Sequence, residues 1–120
     1  MVAGPILVVD NDAPIREVVA DALVLDGYPS VTAYNPAALA AALTQRLVLV
    51  FLDLMMPDLD PADVVAHVKA VGHTPAIPIV LMTARALFEP WPNIAYDDML
   101  RKPFDLDTLL ATVLTWIGPA

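Results

Sequence analysis

The chain has 120 residues, one domain's length, and 58% of them are apolar, enough to build a full core. Fourteen acids against six bases give a net charge of -8, which opposes attraction to nucleic acid or anionic lipid, so direct DNA binding is not expected. Without cysteine there are no disulfides, no thiolate chemistry and no Cys-based zinc site. The longest apolar runs, Leu47 to Leu52 and Pro36 to Leu43, fall short of the roughly 20 residues that span a bilayer. The start Met1-Val2-Ala3-Gly4-Pro5 lacks the charged beginning of a secretion signal, and the cytoplasm is the expected location.

Short β-branched runs alternate with segments of helical period, which is the pattern of βαβ units. The first strand is expected at Ile6 to Val9, followed by a helix from near Pro14 behind an Asn11 or Asp12 cap and stopped by Gly27. Ile15, Val18, Val19 and Ala22 turn one stripe of it toward a sheet. A second strand near Ser30 to Tyr34 leads through Pro36 into an alanine-rich helix ending around Gln45. The third strand, Val48 to Leu52, is apolar throughout and is expected to be central, covered on both faces. A third helix follows from Ala62 to Val71, then a fourth strand from Ile77 to Met82. Pro90 and Pro92 exclude a long regular helix between Arg85 and Ala95. A fifth strand near Met99 to Arg101 and a final helix marked by Leu106, Leu109, Leu110, Val113, Leu114 and Ile117 complete five βα units.

Strand ends carry the functional signal. Asp53 closes the third strand's apolar run, Asp10 follows Val8-Val9, Thr83 follows Leu81-Met82, and Lys102 follows the fifth strand. In an open parallel sheet the carboxyl ends of the strands are where ligands gather. Each residue has a structural reading of its own: Asp53 as a turn former, Asp10, Asp12 and Thr83 as helix caps, Lys102 as a solvated charge. Four polar residues on four strand ends converge on one pocket, and that convergence argues for a site.

Ile6-Leu7-Val8-Val9-Asp10, Leu52-Asp53-Leu54-Met55-Met56-Pro57, Leu81-Met82-Thr83-Ala84 and Lys102-Pro103-Phe104, in this order, resemble the receiver domain of two-component response regulators. The resemblance covers essentially the whole chain, 1–120. It implies a doubly wound, flavodoxin-like α/β fold with five parallel strands in the order 2-1-3-4-5. It also implies that Asp53 accepts a phosphoryl group from a sensor histidine kinase or phosphotransfer protein, without being an enzyme in the ordinary sense. By the same resemblance Asp10, Asn11, Asp53 and the Met55 carbonyl hold Mg2+, Lys102 faces the acyl phosphate, Thr83 bonds a phosphate oxygen, and the Lys102-Pro103 bond is cis.

Several positions depart from the family pattern. Asn11 stands where a second consecutive acid is usual, so Mg2+ is expected to bind more weakly. Asp12 is expected to cap the first helix. Met99 replaces a frequent aromatic residue, and Pro61 replaces a glycine after Asp60, which is expected to stiffen that turn. The Thr83 to Lys102 stretch is shorter than usual, so the helix before the fifth strand is expected to be short or irregular. Leu87, Phe88 and Trp91 then either cover the sheet or form a patch for a partner or a homodimer through the 84–101 region and the last helix. His67 and His73 lack the spaced partners of a zinc site.

The chain ends right after the last helix, so a stand-alone receiver acting by protein contact on a further target is the expected function. The alternative is a degenerate receiver that binds a partner without phosphorylation. A nucleotide-binding enzyme on the same strand edge is disfavoured, since only four glycines are present and none forms a phosphate-cradling loop.

Overall fold

A computed structural model of the chain describes residues 4–71, 76–84 and 94–120. Its elements are β1 (Ile6–Val9), α1 (Ala13–Leu25), β2 (Ser30–Ala33), α2 (Pro36–Ala42), β3 (Leu49–Asp53), α3 (Pro61–Ala70), β4 (Ile79–Thr83), β5 (Asp98–Arg101) and α4 (Leu106–Ile117). The five strands form one parallel sheet in the order β2-β1-β3-β4-β5, as expected.

Alternation along each strand builds two cores. Leu7, Val9, Val50, Leu52, Ile79 and Leu81 meet Leu39, Val64, Val65 and Val68 of α2 and α3 on one face. Ile6, Val8, Leu49, Phe51, Val80 and Met82 meet Val19, Leu23, Leu109 and Val113 of α1 and α4 on the other. β1, β3 and β4 are therefore buried on both faces, which is why they read as unbroken apolar runs. Each such side chain contributes about 1.5–3 kcal/mol by leaving water.

The helix starts follow the local chemistry. Side chains of Asp12, Asn35, Asp60 and Asp105 each accept a hydrogen bond from a first-turn amide of α1, α2, α3 and α4. α1 closes through Tyr28 N–H donating to Leu23 O, with Gly27 at φ +91°, a conformation that a side chain would strain.

Several ends differ from the sequence expectation. α2 stops at Ala42 rather than near Gln45, because Thr44 and Gln45 donate to Ala41 and Ala42 in tighter turns. α3 starts at Pro61 rather than Ala62; at that position the proline's missing amide donor has no helical partner to lose. β4 starts at Ile79 rather than Ile77, since Pro78 has no amide for the ladder. β2 ends at Ala33, one residue before Tyr34, and β5 starts at Asp98, one before Met99. β3 and β4 each extend one residue further than expected, so Asp53 and Thr83 are the last residues of their strands, with Asp53 opposite Met82 and Thr83 opposite Arg101. Of the stretch between β4 and β5, residues 85–93 lie outside the described residues, and so do the expectations for Leu87, Phe88, Pro90, Trp91, Pro92 and the short helix. His73 lies outside them too.

Candidate functional site

Parallel register delivers the four strand ends to one edge. Asp10 is fully buried and held from every side: its N–H donates to Ala33 O at 3.2 Å, and its Oδ1 accepts from Asp12 N–H at 2.9 Å. Its Oδ2 accepts from Lys102 Nζ at 2.8 Å, and its carbonyl accepts from Arg16 Nη1 at 2.8 Å. Asp53 is 4% exposed; its Oδ1 accepts from Met55 N–H at 3.1 Å, and its Oδ2 lies 3.6 Å from Lys102 Nζ. The ammonium of Lys102 therefore stands between two buried carboxylates.

Lys102 owes its position to the chain on either side. Its N–H donates to Thr83 O at 2.7 Å, which extends the β4–β5 ladder by one bond, and the Lys102-Pro103 peptide is cis. Thr83 itself is buried at the end of β4, beside this bond. The structure thus brings Asp10, Asp53, Thr83 and Lys102 to one edge. Asn11 and Met55 lie at the same edge but are exposed, Met55 by 56%. Asp12 takes the capping role, its Oδ1 accepting from Ile15 N–H at 3.3 Å. His67 is exposed on α3, and among the described residues no three His, Cys, Asp or Glu side chains form a metal cluster.

Burial pushes the Asp53 carboxyl above its ordinary value. The Met55 amide opposes the rise, the Asp10 charge adds to it, and the Lys102 charge draws it back. The net result is a carboxylate whose charge is only partly compensated, with the exposed Asn11 and Met55 at the same sheet edge.

Arg16 and Tyr34 were not singled out by the sequence. The Arg16 guanidinium lies 4.5 Å from the centre of the Tyr34 ring while donating to Asp10 O. No periodicity flags that contact, since it joins a helix's first turn to the loop after β2. Trp116, ambiguous from sequence, packs on the α1–α4 core and donates from Nε1 to Asp98 Oδ2 at 2.8 Å.

Residues 6–114 match the family model of the response regulator receiver domain. The chain belongs to that family. This receiver is 34% identical, over 126 aligned residues and 99% of its own length, to the phosphate regulon transcriptional regulatory protein PhoB of Pseudomonas aeruginosa, covering 55% of that protein. It is 33% identical over 88% of its length to the probable transcriptional regulatory protein TcrX of Mycobacterium tuberculosis, covering 46% of it. The receiver thus spans about half the length of these curated relatives. Among solved structures, it superposes on the receiver domain of the sensor histidine kinase PA1611 from Pseudomonas aeruginosa with a TM-score of 0.79 and 27% identity, covering 97% of this chain and 99% of that one. That structure contains a magnesium ion coordinated in the active-site cleft. The chemotaxis response regulator CheY4 of Vibrio cholerae gives a TM-score of 0.80 at 27% identity, with 97% of this chain and all of that one covered.

Proposed function

We propose that residues 1–120 act as one phosphorelay receiver unit in which Asp53 accepts a phosphoryl group from a histidine kinase or a phosphotransfer protein. The observation that carries this reading is the Asp10–Lys102–Asp53 arrangement at the sheet edge, two buried carboxylates with Nζ 2.8 Å and 3.6 Å from them. An Asp53 oxygen attacks the phosphorus, a P–O bond forms as the P–N bond to the donor imidazole breaks, and the imidazole leaves with the electron pair. Lys102, fixed by the Thr83 carbonyl, then holds its ammonium against the charge gathering on the phosphoryl oxygens. Thr83, buried beside it, supplies a hydroxyl at the same edge.

The donor set suits Mg2+. Asp10, Asn11, Asp53 and the Met55 carbonyl offer only hard oxygens, and two carboxylates against one ammonium leave a residual negative charge. When bound, the ion would neutralise phosphoryl oxygens that Lys102 alone cannot. Asn11 adds no charge, which makes that binding weak.

The partner reading has its own support. A groove of about 510 Å3, lined by Pro14, Ile15 and Val18 of α1 with Lys102, Phe104 and Leu106, opens beside the site and is mostly apolar. A donor protein seated there would bring its histidine close to Asp53. For a homodimer through the 84–101 region and α4, the support among described residues is the exposed Tyr96, Leu106 and Leu114; light scattering across concentration tests it, and a strictly monomeric protein removes it. The second reading, a receiver that binds without phosphorylation, is favoured by Asn11 and by the short Thr83 to Lys102 spacing in the sequence, and opposed by the presence of Asp10, Asp53, Thr83 and Lys102.

Incubation with a small acyl-phosphate donor and Mg2+, followed by intact mass measurement, tests the main reading. The protein gains one phosphoryl group and the Asp53→Asn variant gains none. No gain at saturating donor and Mg2+ would promote the second reading.

A further inference from the structure

We propose that Arg16 and Tyr34 form a positioning pair that sets the Mg2+ affinity of this receiver by fixing the peptide between Asp10 and Asn11. The inference rests on the reading of Asp10 and Asn11 as metal-side residues. Of the polar groups on Asp10, the N–H is held by β2, Oδ1 by the Asp12 amide and Oδ2 by Lys102. Only the carbonyl depends on a side chain from outside the site, that of Arg16, at 2.8 Å. This carbonyl belongs to the same planar peptide as the Asn11 amide nitrogen, so the bond fixes how the chain leaves Asp10 and where Asn11 begins.

Arg16 suits the task because its planar guanidinium can donate in its plane while its face rests on a ring. The ring is Tyr34, 4.5 Å away and half exposed, on the loop that follows β2. The Arg16 Nη1 bond spans six residues back along the chain, and the stacking ties it to a second loop at the same sheet edge. A lone arginine with a free guanidinium would sample many rotamers; one stacked on Tyr34 keeps its donor aimed at Asp10 O. Asn11, exposed and uncharged, gains most from being placed in advance, since it contributes geometry rather than charge.

Calorimetric titration of the metal-free protein with MgCl2 tests the pair, using wild type, Arg16→Ala, Tyr34→Ala and Tyr34→Phe. Arg16→Ala is expected to weaken Mg2+ about tenfold, the scale seen when groups supporting metal ligands are removed. Tyr34→Ala weakens it about threefold, and Tyr34→Phe, which keeps the ring, restores wild-type affinity. A merely structural role would lower the unfolding midpoint of Arg16→Ala in EDTA and leave the affinity of the folded protein unchanged. Arg16→Ala within twofold of wild type overturns the inference. Should Arg16→Ala not fold, Tyr34→Ala carries the test, and wild-type affinity there overturns it equally. Absence of Mg2+ binding by the wild type is a different failure, that of the metal-side reading itself.

Discussion

The two halves of the site are built on opposite principles. Asp10, Asp53 and Thr83 are buried, Lys102 is partly exposed between the two carboxylates, and Lys102 and both carboxylates are bonded to backbone as well as to one another. Asn11, Asp12 and Met55 are exposed, and the Asn11 side chain contributes no charge. Charges that must act on a transferred group need a fixed, poorly solvated setting, because there their interaction is least screened. Groups that exchange water and an ion need access. The difference locates the conditional part of the chemistry on the exposed side.

Removing the ammonium separates the halves most sharply. Lys102→Ala leaves two buried carboxylates facing one another and is expected to lower stability by about 3 kcal/mol in urea denaturation, the scale of a broken buried pair reduced for partial exposure. Phosphoryl uptake by Asp53 should fall about a hundredfold, as when one oxyanion donor is lost. Unchanged uptake would move the electrostatic work to the exposed side.

The Asp53 charge makes the next test. Its raised carboxyl means that the folded state holds the proton more tightly than the unfolded chain. Its contribution to stability is full below the unfolded value near 3.8 and is lost as pH rises through the higher folded value. Asp53→Asn therefore stabilises the protein at neutral pH, and the gain disappears in acid; denaturation curves at several pH values check the sign. A neutral-pH gain that persists in acid would show packing rather than charge at work.

Smaller effects sharpen the exposed side. Asn11→Asp, which restores a unit of charge, should tighten Mg2+ about tenfold, or ~1.4 kcal/mol. Asp12→Ala should lower stability by about 1 kcal/mol through loss of the α1 cap, while Mg2+ affinity shifts less than about threefold. A larger shift would make Asp12 a metal-side residue after all.

Much of this was legible in the sequence because strand ends are marked by a change of chemistry: an apolar run stops at Asp10, Asp53, Thr83 or the residue before Lys102. The strand order came from the resemblance, since composition alone leaves it open. Element ends shifted where proline chemistry was decisive, as at Pro61 and Pro78, whose missing amides matter only once the hydrogen-bond pattern is known. The Arg16–Tyr34 stack and the Trp116–Asp98 bond were illegible because they join elements at angles that only packing sets.

The central claim is that Asp53, among the several acids near this edge, takes the phosphoryl group. Borohydride reduces an aspartyl phosphate to homoserine, so treating the phosphorylated protein and fragmenting the peptide from Leu47 to Lys69 locates the modified acid. That peptide also contains Asp58, Asp60 and Asp63, which serve as internal controls. Homoserine at position 53 alone is the predicted result; homoserine at another of these acids, or at none, would contradict the account.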